Sequence, residues 1–167
     1  MKGTAKMEKK AIYAGSFDCY TNGHHDIVRK ASRLFDELHI VVSVNSQKSR
    51  RFPAEAMVKA IRETLTLDGI DNCVVAICDG LTADYCLTHD IGYFVRGLRN
   101  SLDYNYEENI ASGNKLIAPE LETLYFRADN AGISSSIACE MALYGRDFSG
   151  LVPEPVYRMV KDYIAGR

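Results

Sequence analysis

Residue types that bind phosphate cluster near the start of the chain. Residues 15–26 read Gly-Ser-Phe-Asp-Cys-Tyr-Thr-Asn-Gly-His-His-Asp and directly follow the apolar run 11–14. Glycine lets a phosphate approach the backbone, while the Ser16 hydroxyl and the His24 imidazole can donate hydrogen bonds to its oxygens. A helical pattern follows at once, so free backbone N–H groups and a positive dipole end would face the same point. The stretch therefore predicts a phosphate site, the alternative being a strand–loop–helix joint with an ordinary N-cap.

Two basic groups follow other apolar runs. Arg96 and Arg99 come after the run 93–95, and two arginines three residues apart can hold a phosphate from two sides. Lys48 lies in a basic segment just past the run 38–44, where a mobile loop could close over anionic substrates and exclude water. Taken alone, each group also fits a solvated surface loop.

A run of serines far downstream forms a second candidate for phosphate binding. Ser134, Ser135 and Ser136 follow Ile133 and precede an apolar helical pattern. Serines at a helix start are often plain N-caps. Read together with the first motif, the run predicts a second helix N-terminus aimed at nucleotide phosphates.

The elements that must position these residues are read from the alternation of apolar runs and helical patterns. Short β-branched runs without alternation predict strands that are buried on both faces. The predicted strands cover 11–14, 38–44, 73–78, 93–95 and 121–126, and the predicted helices cover 23–37, 53–67, 82–89, 104–117, 134–144 and 153–164. This order predicts an α/β fold with a doubly wound, Rossmann-like, five-stranded parallel sheet and C-terminal helices. Ligands of such sheets bind at the carboxyl ends of the strands, where the candidate residues would converge.

Two details of this prediction bear on the site. The first helix is inferred from one apolar face, which comprises Ile27, Val28, Ala31, Leu34, Phe35 and Leu38. Glu107 falls on an acidic face of the predicted helix 104–117, and such faces are usually solvated.

Composition and charge exclude several functional classes. The 167 residues predict one domain over 10–167, with residues 1–9 as an N-terminal extension. The net charge of −2 argues against binding to nucleic acid or to an anionic membrane. No apolar stretch approaches the roughly 20 residues of a membrane helix. The five cysteines form no Cys-x-x-Cys pair, so we predict no zinc site and no disulfide framework, and we expect a cytoplasmic setting.

The paired motifs resemble those of the nucleotidylyltransferase superfamily. The [HT]-x-G-H motif of that superfamily matches residues 21–24, and its I-S-[ST]-[ST] motif matches residues 133–136. From about residue 10 to 164 the chain is most similar to the phosphopantetheine adenylyltransferase family. That resemblance is carried by Thr21, which is histidine in related families, and by the runs Arg96-Gly97-Leu98-Arg99, Tyr106-Glu107 and Pro119-Glu120-Leu121-Glu122-Thr123.

The resemblance implies an activity, an assembly and a set of site residues. The family transfers AMP from ATP to 4′-phosphopantetheine with Mg²⁺, giving dephospho-coenzyme A and pyrophosphate. Its members are homohexamers, and coenzyme A is a further candidate ligand. The implied catalytic residues are His24, Lys48 and Arg96, and the implied acceptor contacts are Ser16, Lys48, Thr82 and Arg96. The implied ATP site comprises Ser16, Phe17, His24, Gly97, Leu98, Arg99, Glu107, Asn130, Ala131, Gly132, Ile133, Ser134, Ser135 and Ser136.

Departures from the family pattern keep other functions open. Ala14 and Cys19 stand where the family usually has proline, and residues 130–132 replace a run that usually contains an aromatic residue. These changes fit a non-catalytic sensor of coenzyme A or a nucleotide. A nucleotidylyltransferase that uses CTP or another phosphorylated acceptor is a second alternative, although Thr21 and the arginine motif count against it. A flavodoxin-like binding module would not explain the paired motifs.

Overall fold

Five strands form a single parallel sheet in the computed structural model, which describes residues 8–45, 47–129 and 132–166. The strands are β1 (Lys10–Gly15), β2 (Glu37–Ser43), β3 (Cys73–Cys78), β4 (Tyr93–Leu98) and β5 (Glu122–Arg127). Their order across the sheet is β3-β2-β1-β4-β5, and every neighbouring pair is parallel. The chain thus winds outward in opposite directions from β1 and β4, which places the topological switch point between them. The predicted doubly wound fold is confirmed.

Helices connect the strands, and two more helices follow the last strand. They are α1 (Asn22–Ser32), α2 (Ala54–Leu67), α3 (Thr82–Thr88), α4 (Ser101–Ile117), α5 (Ser135–Leu143) and α6 (Glu154–Ala165). The C-terminal helix α6 packs along α2, and its Tyr163 ring contacts the ring of Phe52, which lies just before α2, at a centroid distance of 5.5 Å. Within the described residues, none of these helices has the length and apolar character needed to cross a membrane.

The core is packed around the central strand β1 and its neighbour β2. Residues 11–14 of β1 and residues 38–42 of β2 are buried, as the apolar runs predicted. The prediction of burial on both faces is wrong for β3, where Val74 is 39% exposed and Ile77 is 38% exposed, and for β5, in which no residue is buried. Because each of these strands pairs with one neighbour only and lies at a sheet edge, its residues are covered less completely.

The first helix is shorter than the sequence predicted. It ends at Ser32 and not near residue 37, and Leu34 of the assumed apolar face is 61% exposed. Phe35 is buried in the turn after the helix, while Leu38 already belongs to β2. Both residues pack into the same core, but from different elements. Their spacing in the sequence therefore resembles the apolar face of a longer helix.

The fourth strand is longer than predicted. It continues from Tyr93 to Leu98, with Leu98 opposite Arg127 of β5. Arg96 and Gly97 therefore belong to a strand and not to the loop that the sequence suggested. A Cβ atom at Gly97 would lie 3.2 Å from Cγ1 of Ile27, so glycine allows α1 to pack closely on the end of β4.

Candidate active site

A polar cleft of about 420 Å³ lies at the switch point of the sheet. It opens beyond the carboxyl ends of β1 and β4, which is where ligands bind in open α/β sheets. Its walls come from the loop after β1, the N-terminus of α1, the end of β4, one face of α4 and the start of α5. The polar and glycine residues among these are Gly15, Ser16, Thr21, Gly23, His24, Arg96, Gly97, Arg99, Asp103, Tyr106, Glu107, Ser134, Ser135 and Ser136.

A capping box fixes the orientation of His24 at the start of α1. Thr21 is the N-cap, and its side-chain oxygen accepts a hydrogen bond from the His24 backbone N–H at 3.4 Å. In return, Nδ1 of His24 accepts a hydrogen bond from the Thr21 backbone N–H at 3.0 Å. Because Nδ1 is the acceptor, the proton of a neutral His24 ring sits on Nε2. The imidazole is thereby set as a donor at its outer nitrogen.

Not all first-turn amides of α1 are free, contrary to the sequence prediction. The Asn22 N–H donates to the Leu151 carbonyl at 2.9 Å, and the His24 N–H is taken by Thr21. Gly23 borders the cleft between them. Phosphate binding at this terminus would therefore depend on the His24 side chain and the dipole more than on a set of bare amides.

The surroundings of His24 keep its ring neutral. Burial, followed by the positive charges of Arg99 and Arg96, lowers the pKa of His24 from 6.5 to about 4. The ring also packs edge-on against Phe17, with centroids 5.0 Å apart, and lies beside Tyr20 at 5.7 Å. At neutral pH, His24 is thus an uncharged donor held in place by aromatic neighbours.

The loop after β1 is clamped to the loop after β2. Asp18 accepts hydrogen bonds from the backbone N–H groups of Arg51 and Phe52, at 2.7 and 3.0 Å. Arg50 donates through Nη1 to the Ser16 carbonyl at 2.7 Å. These contacts between residues more than 30 positions apart hold the Ser16 segment at the rim of the cleft.

Phe17 supports the cleft from below. It is only 2% exposed, and its φ of 41° lies in the left-handed region that side chains other than glycine rarely adopt. Such a conformation costs about 1–3 kcal/mol and persists where packing determines it. Here the Phe17 ring packs against Tyr13, Tyr20 and His24.

Arg96 and Glu107 form a paired unit inside the cleft. Arg96 donates through Nε and Nη2 to the two carboxylate oxygens of Glu107, at 2.5 and 2.7 Å, and through Nη1 to the Ala14 carbonyl at 2.8 Å. The expectation that Glu107 is solvated is wrong, since it is 8% exposed and is the buried residue of α4. Three of the five guanidinium N–H groups serve these bonds, and the other two remain available to a phosphate.

Arg99 is paired with Asp103, which the sequence reasoning missed. Nε and Nη2 of Arg99 lie 3.1 and 3.3 Å from the Asp103 carboxylate oxygens. Hydrogen bonding to the Arg99 side chain lowers the pKa of Asp103. Because Arg99 precedes α4 and Asp103 lies in its first turn, the spacing rule for charges on a helix surface could not have indicated this pair. The Arg99 side chain is 46% exposed, so a phosphate could replace Asp103 at little cost.

The serine motif meets the first motif across the cleft. Ser134 is the N-cap of α5 and accepts a hydrogen bond from the Ile137 N–H at 3.1 Å. The Ser135 hydroxyl donates to the Cys19 carbonyl at 2.7 Å, while Ser136 and Ile133 line the cleft. Gly132 is exposed and lies away from this wall, and Asn130 and Ala131 are outside the described residues. The serine motif is therefore joined by a direct hydrogen bond to the loop between β1 and α1.

Three predicted residues lie beside the cleft and not on its wall. Lys48 is exposed, in a turn where its N–H donates to the Asn45 carbonyl at 3.0 Å. Thr82 begins α3 and is partly buried. Both follow strands of the same sheet edge, on the β2 and β3 side of the switch point. Leu98 faces a separate depression that is formed with Tyr104 and Tyr125.

Comparisons with known proteins give a matching family model and a solved structure with a similar fold. Residues 12–140 match the family model described as cytidylyltransferase-like. In the solved structures, a protein described as a nicotinate-nucleotide adenylyltransferase from Vibrio parahaemolyticus superposes with a TM-score of 0.67 and 16% identity, covering 93% of both chains. At that identity the likeness establishes the fold alone.

Curated relatives are more similar in sequence. A phosphopantetheine adenylyltransferase from Shouchella clausii is 42% identical over 156 residues, which span 92% of this chain and 97% of that protein. The one from Leptospira biflexa is 42% identical over 152 residues, and the one from Streptococcus uberis is 38% identical over 156. The cleft, its paired motifs and these matches along nearly the whole length agree, and the chain belongs to the phosphopantetheine adenylyltransferase family.

Proposed function

We propose that this chain transfers AMP from ATP to 4′-phosphopantetheine, releasing pyrophosphate and forming dephospho-coenzyme A, the penultimate step of coenzyme A synthesis. One observation carries the proposal: the neutral donor His24 and the start of α5 face the same cleft at the switch point. The relatives that are named for this activity match the chain over nearly their whole length.

The reaction follows from charge. An oxygen of the acceptor phosphate attacks the α-phosphorus of ATP in line, and pyrophosphate leaves from the opposite side. The acceptor oxygen is already an anion at neutral pH, so no strong base and no covalent enzyme intermediate are required. Repulsion between the two anions is the main obstacle, and positioned donors and cations lower it.

His24 suits the transition state because it donates without carrying a charge of its own. Its Nδ1 is occupied by Thr21, so the Nε2–H is the group that can reach an α-phosphate oxygen as negative charge grows there. The low pKa of His24 keeps this group in one protonation state throughout the neutral range. The donor is pre-oriented, so little reorganisation accompanies the reaction.

The arginines and Lys48 would supply the positive field. Arg96 keeps two N–H groups for a phosphate while Glu107 holds its orientation. Arg99 would exchange its exposed pair with Asp103 for the triphosphate. Lys48 would reach the acceptor phosphate from the loop beside the cleft, which would then cover the bound substrates.

Magnesium enters this proposal as part of MgATP. Within the described ranges, no group of three or more His, Cys, Asp or Glu side chains is arranged to hold a metal ion. The carboxylates of the cleft, Asp103 and Glu107, are both engaged by arginines. Mg²⁺ commonly keeps several waters and binds through substrate phosphates, and there it would neutralise part of the triphosphate charge.

The exposed face of α4 supports assembly with further copies of the chain, for which we propose the homohexamer of the family. Along the 17 residues of α4, Glu107 is the buried residue, while Leu102 is 81% exposed and Leu116 is 87% exposed. Apolar surface of this kind is typical of subunit contacts. Sedimentation should give six times the 18.6 kDa chain mass, and a monomer at micromolar concentration would contradict this assembly.

We also propose that the protein works in the cytoplasm, because all five cysteines are free thiols and none is part of a disulfide framework.

Pyrophosphate release with a panel of acceptors tests the proposed reaction. MgATP would be supplied with 4′-phosphopantetheine, nicotinamide mononucleotide or glycerol 3-phosphate in separate reactions, and CTP would replace ATP in a fourth. We expect release with ATP and phosphopantetheine alone. Release with another acceptor would contradict the assigned substrate. Tight binding of ATP or coenzyme A without any release would instead favour a sensor.

A further inference from the structure

Two cysteines from distant parts of the sequence meet behind the active-site cleft. The sulfur atoms of Cys19 and Cys139 are 3.7 Å apart although the residues are separated by 120 positions. Cys19 is 0% exposed and Cys139 is 1% exposed. Cys19 lies in the loop after β1, and Cys139 lies in the middle of α5.

Both cysteines are attached to the segments that form the cleft. The Cys19 carbonyl accepts the hydrogen bond from the Ser135 hydroxyl, and the Cys139 sulfur lies 3.6 Å from the Asp18 carbonyl. Ser16 lies three residues before Cys19, and Ser136 lies three residues before Cys139. A covalent bond between the two sulfurs would therefore join the loop that carries Ser16 to the helix that carries Ser136.

The pair has the electrostatic asymmetry of a reactive dithiol. The hydrogen bond between the two thiols lowers the pKa of Cys139 below its ordinary value, and the charge of Arg51 lowers it further. The same hydrogen bond and burial raise the pKa of Cys19. The thiol of Cys139 thus ionises more readily than the thiol of Cys19, and we expect Cys139 to be the nucleophile of the pair.

We propose that Cys19 and Cys139 are a redox modification site, which a peroxide converts reversibly into a disulfide. The Cys139 thiolate attacks one peroxide oxygen and the O–O bond breaks. Hydroxide departs as the leaving group, and Cys139 becomes a sulfenic acid. The Cys19 thiol then attacks that sulfur, forming the S–S bond and releasing water. Overall, two thiols and one hydrogen peroxide give one disulfide and two waters, and an added dithiol reverses the change.

Oxidation should alter the active site, a consequence that rests on the proposed function. A disulfide has an S–S length of about 2.05 Å, so the two sulfurs must approach each other by about 1.7 Å. The loop carrying Ser16 and the helix carrying Ser136 would move with them. A displacement of about 1 Å in a catalytic arrangement can cost about 100-fold in rate, so we expect at least a tenfold loss of turnover.

The remaining cysteines provide internal controls. Burial raises the pKa of Cys73 and of Cys86 to about 12, which keeps both as unreactive thiols. Cys73 is on β3 at the far edge of the sheet, away from the cleft. The variant Cys73→Ala is thus matched in chemistry but should leave the oxidation unchanged.

Peptide mass mapping tests the proposal directly. The full-length protein would be treated with hydrogen peroxide, unfolded in urea in the presence of an alkylating reagent and digested without reduction. We expect a cross-linked peptide containing Cys19 and Cys139, lighter by two hydrogens than the sum of its parts. The same product should form in Cys73→Ala and should be absent from Cys139→Ser and from Cys19→Ala. Two variants are used so that a folding defect in one of them does not decide the result.

Turnover and ATP binding would be measured on the same samples. Inactivation by peroxide and recovery with dithiothreitol should occur in the wild type and not in Cys139→Ser. Alkylation of both cysteines after prolonged peroxide treatment, or a link between other cysteines, would overturn the proposal. Because the mass readout needs no activity, a cross-link in a protein that releases no pyrophosphate would refute the proposed function and leave the redox site intact.

Discussion

Replacement of His24 by asparagine separates its two roles. Asparagine at the third helical position keeps a side-chain acceptor close to the Thr21 N–H, which His24 Nδ1 now occupies at 3.0 Å. It cannot reach the place of Nε2, so the donor facing the cleft is lost. Alanine at the same position removes both functions.

The expected magnitude follows from the loss of one pre-oriented donor. Removing such a group from a developing negative charge costs about 100-fold to 1000-fold in turnover, or about 2.7–4 kcal/mol. His24→Asn and His24→Ala should both lose turnover on this scale, with ATP affinity changed by a small factor. Only alanine also loses the capping bond, which costs about 0.5–2 kcal/mol of folding stability.

The assay is steady-state pyrophosphate release, with urea unfolding of each variant as the stability measurement. The reasoning would be refuted by turnover within threefold of the wild type in His24→Asn. A loss of turnover that followed stability, large in alanine and absent in asparagine, would show that His24 acts through the helix cap alone. In the wild type, turnover between pH 6 and 8 should show no titration of His24, because its pKa is near 4.

Three further predictions concern Lys48, Glu107 and the pH dependence of stability. Lys48→Ala should raise the KM for phosphopantetheine roughly 10–100-fold, because it removes a charged hydrogen bond, and should leave the KM for ATP unchanged. Lys59→Ala, on the exposed face of α2, is the control for the loss of one positive charge. Glu107→Gln should lower the free energy of unfolding by about 1–3 kcal/mol in urea, since it leaves the Arg96 charge without its partner, whereas exposed Glu120→Gln should not. The pKa of His24 is lower in the folded state than its ordinary 6.5, so its contribution to stability is complete above pH 6.5 and is lost as the pH falls toward 4. Unfolding curves at several pH values should show a smaller loss over this range in His24→Asn, and an equal loss would contradict the lowered pKa.

Local pattern and position in the sheet account for what the sequence predicted correctly. The runs 38–44 and 73–78 are apolar and short, which is typical of parallel strands, and both form strands in the structure, although only the first is buried along its length. Since ligands bind beyond the carboxyl ends of such strands, the location of the cleft also followed. His24, Arg96 and Ser136 do share its wall.

Pairings between distant residues account for what the sequence did not predict. The burial of Glu107 depends on Arg96 of β4, and the contact of Cys19 with Cys139 depends on α5 packing against the loop after β1. Neither interaction leaves a periodic trace in the chain. Leu34 gave the opposite error, a predicted core residue that is exposed. It fits the helical spacing in the sequence but lies in the turn after α1.

The position of the nucleotide tests the central claim most directly. A crystal structure with Mg²⁺ and a non-hydrolysable ATP analogue should place the triphosphate in the cleft against the N-terminus of α1. We expect an α-phosphate oxygen within about 3.2 Å of His24 Nε2, the reach of a hydrogen bond. A nucleotide bound elsewhere, such as the depression beside Leu98 and Tyr125, with His24 facing solvent alone, would contradict the account.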